Sequence, residues 1–121
     1  MTIDVNRIDD IIHGRIRLGI VAYLSSVETA EFNELREALD TTAGNLSVHI
    51  RKLEDAHYVK VFKSFISRKS LTRIQITPKG RAAFITYLDE MRALVDAHSL
   101  PEKKAPRAPT GEAGDPKRRR A

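Results

Sequence analysis

At His57 the spacing of apolar residues changes period, so the chain must pass from a helix to a sheet within a few residues. Before that point, "GNLSVHIRKLE" (Gly44–Glu54) sets Leu46, Ile50 and Leu53 at i, i+4 and i+7, the apolar stripe of a helix. After it, "YVKVFKSFI" (Tyr58–Ile66) is rich in β-branched and aromatic residues, and Val59 and Val61 alternate against Lys60 and Phe62. "SRKS" (Ser67–Ser70) reads as a turn. "LTRIQIT" (Leu71–Thr77) reads as a second strand with Thr72, Ile74 and Ile76 on one face. The pair is expected to form an antiparallel hairpin with a basic tip.

Helices are expected on both sides of this unit. "RIRLGIVAYLSSV" (Arg15–Val27) places Ile16, Ile20, Val21 and Leu24 on one side, with Gly14 as N-cap and an apolar lead-in, "IDDII", before it. "AEFNELREALD" (Ala30–Asp40) reads as a short helix capped by Asn33, with Leu35, Ala38 and Leu39 facing inward. Thr42 is the natural N-cap of the helix that follows, because its hydroxyl can accept from a free N–H one turn in. "TPKG" opens a last helix with Thr77 as N-cap and Pro78 in the first helical position, running to about His98. From Pro101 on, four prolines, two glycines and no aromatic or β-branched apolar residue predict a disordered tail.

Charge is distributed unevenly along the 121 residues. Residues 1–41 carry eight acidic and four basic side chains, a net of −4, whereas residues 42–81 carry nine basic and two acidic, a net of +7. A cationic block of this kind suits a polyanion. Other functions find little support. Cysteine is absent, which removes disulfides, thiolate nucleophiles and cysteine-based zinc sites and fits a reducing compartment. No apolar run approaches the ~18 residues of a membrane span, and the acidic N-terminus lacks a signal-peptide core, so a cytoplasmic protein is expected. No G-x-S-x-G, phosphate-binding glycine loop or H-E-x-x-H occurs, and the four histidines are scattered. His13 and His98 lack metal-ligand spacing. No enzyme and no cofactor is expected.

Two helices joined by a three-residue turn and followed by a hairpin are a helix-turn-helix with a wing. A helix fits the major groove and reads base edges with its N-terminal residues. Gly44 and Ser47 would allow close approach, and the Val48 methyls can pack on a thymine methyl. Arg51 and Lys52 would meet phosphates at the groove wall, and Arg68 and Lys69 would reach the minor groove or its phosphates. His49, on the flank of the buried stripe, is read as a partly buried structural residue.

Taken together, "HGRIRLGIVAYL", "NLSVHIRKLEDAHYV" and "VFKSFISRKSLTRIQITPKGRAAF" resemble the winged helix-turn-helix regulators of the MarR/ArsR superfamily, in particular the short single-domain winged helix DNA-binding group. The likeness covers roughly Ile8 to Leu88. It implies an α+β fold with a three-helix core, a two-stranded wing and a long C-terminal dimerisation helix, and it implies a dimer on double-stranded DNA. This chain has Asp40 and His57 where the family often has glycine, Thr41 where it has an apolar residue, and Ser67 where the wing turn often has glycine. Asp and His enter left-handed conformations at modest cost, so the fold tolerates them.

The resulting expectations are specific. Residues 1–99 form the DNA-binding domain, with the dimerisation helix at about 78–98, and residues 100–121 the basic tail. The DNA-facing residues are Thr42, Ala43, Gly44, Asn45, Ser47, Val48, Arg51 and Lys52 on the third helix, and Lys63, Arg68, Lys69 and Arg73 on the wing. Phe84, Leu88, Met91 and Val95 are spaced 4, 3, 4, a coiled-coil seam. With Leu94 and the lead-in residues Ile8, Ile11 and Ile12 they are the expected homodimer interface. Lys117, Arg118, Arg119 and Arg120 would tether the chain to DNA without sequence preference. A small-molecule effector is compatible with the resemblance, but no residue identifies one. A regulator, most simply a repressor, is the leading function. A low-specificity DNA-binding accessory protein and a protein-interaction module are the alternatives.

Overall fold

The computed structural model describes residues 4–98. After a single 3-10 turn (Val5–Arg7) come α1 (Arg15–Val27), β1 (Thr29–Glu31), α2 (Phe32–Ala38), α3 (Ala43–Asp55), β2 (Val59–Ile66), β3 (Lys69–Ile76) and α4 (Pro78–Ala97). Asp4–Glu90 form one compact unit, and the last turns of α4, from Met91, belong to a second. None of the described helices is long and apolar enough to cross a membrane.

The core of the first unit is the set of apolar stripes expected from spacing. Ile16, Ile20, Val21 and Leu24 of α1, Leu46, Ile50 and Leu53 of α3, and Val59, Ile74 and Ile76 of the hairpin are all buried. Complete burial of such a side chain contributes about 1.5–3 kcal/mol. Gly14 caps α1 and Thr42 caps α3, where Thr42 Oγ1 accepts from the Asn45 N–H at 3.1 Å.

The end of α3 explains the abrupt change of period. His57 stands at φ 66°. Its N–H donates to the Glu54 carbonyl at 2.9 Å, and the Tyr58 N–H donates to the Leu53 carbonyl at 2.9 Å. These two bonds are a Schellman closure with histidine in the left-handed position that glycine usually holds. Asp40, in the turn before α3, also has a positive φ of 51°.

Three details differ from the sequence expectation. First, Thr29–Glu31 is a strand, pairing antiparallel with β3 (Thr29↔Gln75, Ala30↔Ile74, Glu31↔Arg73) and making a sheet of order β1-β3-β2. The chain enters it through Glu28, at φ 74° and ψ −44°, whose N–H donates to Leu24 and whose carbonyl accepts from the Ile76 N–H at 3.0 Å. Second, α2 therefore starts at Phe32, and its N-cap is Glu31 in a capping box with Glu34, not Asn33. Leu35 is buried and Leu39 half-buried, but Ala38 is exposed. Third, the hairpin turn is only Ser67–Arg68. Ile66 pairs with Lys69, and both turn residues have positive φ, 51° and 67°, as a two-residue type I′ turn requires.

The hairpin returns to α4 through a tight joint. Thr77 Oγ1 accepts from the Gly80 N–H at 2.9 Å and donates to the His57 carbonyl at 2.7 Å. Gly80 is buried, and a Cβ there would collide with the Tyr58 carbonyl, so only glycine lets the first turn of α4 seat on this corner. On α4 the buried side chain is Tyr87, whose hydroxyl lies 2.9 Å from His13 Nδ1. Phe84 is half-buried.

The lead-in is pinned to its own domain. The Asp9 carboxylate accepts from the N–H groups of Ile11 (2.8 Å) and Ile12 (3.2 Å) and from the Tyr58 hydroxyl. Partial burial and that bond push the Tyr58 hydroxyl up to about 12. Ile12 is fully buried in this chain's own core. The expectation that Ile12 packs on a partner is thereby corrected: the caps from Asp9 turn its side chain inward, and no surface of it is left to share.

Candidate nucleic-acid interface

At ~100° per residue, Leu46, Ile50 and Leu53 turn α3 onto the core, and Gly44, Ser47, Val48, Arg51 and Asp55 project away from it. Ser47, Arg51 and Lys52 are exposed, and Val48 is 54% exposed despite being apolar. Apart from its chain neighbours and the backbone of its own helix, nothing lies within 4 Å of the position a Cβ would take on Gly44. Ser47, Val48, Arg51, Lys52 and Asp55 line a shallow concavity of about 390 Å³. The first turn of α3 holds no acidic residue, so its free N–H groups and the helix dipole keep their positive character outward. Asp55 marks the far end of the cationic surface. Asn45 lies toward one flank, where its side-chain amide donates to Thr41 Oγ1 at 2.8 Å. Thr42 and Ala43, at the start of the helix, are exposed.

One flank of this surface faces the hairpin across a groove of about 520 Å³. Ser47, Arg51 and Glu54 of α3 line it with Lys63 and Thr72 of the hairpin and Phe32 of α2. Lys63 and Thr72 are direct cross-strand partners, which puts them on the same sheet face as the Val59–Ile76 and Val61–Ile74 pairs, where Val59, Ile74 and Ile76 are buried and Val61 is half-buried. Arg73, opposite Phe62, and Lys69, opposite Ile66, lie on the other face. Arg73 is also the cross-strand partner of Glu31. Arg68 sits in the turn itself. The four wing cations foreseen from sequence are thus divided: Lys63 borders the α3 groove, Arg68 and Lys69 are at the tip, and Arg73 is on the reverse side. The distal wing is also more apolar than its charge suggested, with Phe65 73% and Ile66 57% exposed.

The other flank of α3 meets α1. His49 is half-buried, and its Nδ1 is 2.9 Å from Arg17 Nη1. A guanidinium only donates, so Nδ1 accepts and the imidazole is neutral. Partial burial, then the charges of Arg17, Lys52 and Arg15, hold the imidazole below its ordinary range. The Arg17 Nε donates to the Ile11 carbonyl at 2.6 Å. Arg15 and Arg17 escaped the sequence reading because their proximity to α3 is a tertiary fact. Arg81, counted in the basic block, donates to the Ser25 carbonyl at 3.0 Å and holds α4 to the end of α1.

Other sites fare differently. Among the described residues no group of three or more His, Asp or Glu side chains is placed to hold a metal ion. His13 is bonded to Tyr87, and His98 Nδ1 lies 3.0 Å from the Leu94 carbonyl. Of the expected seam, Leu88 is 45% and Val95 64% exposed, while Phe84, Met91 and Leu94 are half-buried. Ile8 and Ile11 are half-buried. Ile85, which was not foreseen, is 54% exposed. Lys117, Arg118, Arg119 and Arg120 lie outside the described residues.

A helix-turn-helix with an exposed cationic third helix and a hairpin at its flank has known counterparts. The family model of the winged helix DNA-binding domain matches residues 16–95. The chain belongs to that family. An uncharacterized protein of Methanocaldococcus jannaschii is 44% identical over 79 residues, 65% of this winged helix chain and 86% of that one. The structure of a transcriptional regulator homologue from Pyrococcus horikoshii OT3 superposes with a TM-score of 0.69 at 34% identity, over 74% of this chain and 89% of that one. A MarR-family transcriptional regulator from Silicibacter pomeroyi shares the fold, with a TM-score of 0.56 at 21% identity, over 78% of this chain and 64% of that one. One ArsR-family transcriptional regulator shares the fold as well, with a TM-score of 0.53 at 21% identity, over 78% of this chain and 93% of that one. The winged helix domain is therefore a DNA-binding domain similar to transcriptional regulators.

Proposed function

We propose that this chain is a homodimeric, sequence-specific regulator of transcription that represses by occupying double-stranded DNA, with α3 in the major groove and the wing tip at the adjacent minor groove or its phosphates. The observation that carries this reading is the composition of the outward face of α3. A glycine with open space over it, a serine and a solvent-exposed valine come first, and arginine and lysine follow a turn later. Small and apolar groups at the helix start suit base edges, and cations farther along suit the groove wall. A single exposed valine is ordinary on a protein surface; what supports the reading is that Val48 lies between Gly44, Ser47 and Arg51 on the outward face of α3.

The test is binding-site selection from random duplex DNA. Enrichment of one motif, arranged as an inverted repeat, is expected. Tight binding with no enriched motif would instead support the low-specificity accessory reading, which the net +7 of residues 42–81 keeps physically reasonable.

A further inference from the structure

A recognition helix in the major groove lies between two phosphate backbones, and the wing accounts for cations on one flank only. The other flank of α3 carries its own set. Lys52 is exposed there, one turn after His49, and Arg17 of α1 reaches His49 at 2.9 Å. Arg15 is exposed at the first position of α1. Arg17 is held in place by the Ile11 carbonyl at 2.6 Å. Among the described residues neither Arg15, Arg17 nor Lys52 has a carboxylate within 4.0 Å; the two ion pairs present are Arg7–Glu90 and Arg36–Glu37. Arg17 and Lys52 flank the imidazole and the charge of Arg15 is felt there, with none of the three in an ion pair, on two helices joined in the free protein by the Arg17–His49 contact.

We propose that Arg15, Arg17, His49 and Lys52 form a phosphate-binding clamp that grips the DNA backbone on the side of α3 opposite the wing. The inference rests on the DNA-binding reading above and adds a second anchor to it. With Lys63 and the wing tip on one flank and this cluster on the other, α3 is bracketed by positive charge, so its depth and tilt in the groove are set from both walls. Phosphate contacts of this kind position a protein on the duplex and carry no sequence information.

The clamp has a proton signature. In the free protein His49 is neutral, accepting from Arg17, with the charges of Arg17 and Arg15 on α1 and Lys52 on α3 facing it. A phosphate placed among these groups draws the Arg17 guanidinium from His49 Nδ1 to itself and screens the cations, so Nδ1 is freed to take a proton and the imidazolium has an anion to donate to. Its affinity for a proton therefore rises on binding, and DNA binding takes up a proton. The sign follows directly: affinity for DNA increases as pH falls from about 7.5 toward 6, by up to tenfold per pH unit for one proton.

Wild type, Arg15→Gln and His49→Gln are to be titrated with one duplex oligonucleotide over a range of salt and pH, following fluorescence anisotropy. Arg15 is exposed, and glutamine at position 49 keeps an acceptor for Arg17, so both variants should fold; circular dichroism melts check this. Arg15→Gln is expected to lower the slope of log K against log salt by about 0.9, the value of one phosphate contact, with sequence preference intact. The wild-type rise in affinity toward pH 6 is expected to flatten in His49→Gln. If wild type binds the duplex and Arg15→Gln keeps its full salt slope, the clamp is overturned while the DNA-binding reading stands. If His49→Gln keeps the full pH response, the proton-linked site is likewise overturned. If wild type binds no duplex, both readings fall.

Discussion

Gly44 is the second residue of α3, where glycine is a poor choice for the helix and alanine would find open space. Relative to alanine, glycine within a helix costs up to about 1 kcal/mol. The natural explanation is proximity of the backbone to DNA, and it predicts effects of opposite sign. Gly44→Ala should raise stability by a few tenths to about 1 kcal/mol in chemical denaturation and weaken binding to the selected duplex. Improved stability with unchanged affinity would show that the start of α3 keeps its distance from the bases. The same scale shows how this chain replaces glycine elsewhere. Asp40, His57 and Ser67 stand at positions where the winged-helix resemblance implied glycine, and all three hold positive φ. Asp and His were expected to tolerate this, and the backbone bonds that close α3 around His57 show how the geometry is enforced. Glu28 has the same sign of φ, but no residue type announced it.

For the hairpin the question is what its cations do. Register divides them, because side chains alternate between faces along a strand and a shift of one residue reverses the face. The shorter turn moves Lys69 onto β3, opposite Ile66, and leaves Arg68 alone in the turn. Arg68→Ala with Lys69→Ala should weaken binding to every duplex by a similar factor and reduce the salt slope by about 2 if both touch phosphate. An unchanged slope would assign the tip to solvent. Sequence preference should survive the double change, since phosphate contacts are indifferent to base identity. The strand β1 belongs to this scale too. Three residues are too few to display a period, and its only buried side chain is Ala30, so nothing local distinguished it from the first turn of a helix. Pairing with β3 decides its state.

For the molecule as a whole the open surface is on α4. Phe84, Leu88, Met91 and Val95 keep a 4, 3, 4 spacing, and the helix is 20 residues long. Leu88 and Ile85 are exposed apolar side chains of a kind that proteins usually bury against a partner when they are clustered. A two-fold pairing along this helix would direct two α3 surfaces to one side of a duplex, and the half-sites should then be centred about 10–10.5 bp, or a multiple, apart. Sedimentation equilibrium is expected to give a dimer at micromolar concentration and a monomer for Leu88→Asp with Met91→Asp. A monomeric wild type, or a dimer indifferent to the double change, would move the interface elsewhere. Ile12 has no part in it, because it is consumed by the core.

What the amino-acid sequence determined by itself is whatever short-range physics dictates. The stripes of α1 and α3, the Thr42 and Thr77 caps, the strand alternation after His57 and the concentration of charge in residues 42–81 all follow from neighbours within a turn or two. They sufficed to order the helices and the hairpin, though not the short β1, and to choose the face of α3 that looks outward. The tertiary structure alone decided matters that depend on distant pairs. Asp9 caps the lead-in, and Ile12 is buried in its own domain; β3 recruits Thr29–Glu31 into a sheet; Tyr87, which no spacing singled out, fills the core from α4. Arg17, 32 positions before His49, meets it across two helices. Periodicity reports which way a residue points from its own element, but not which other element stands there.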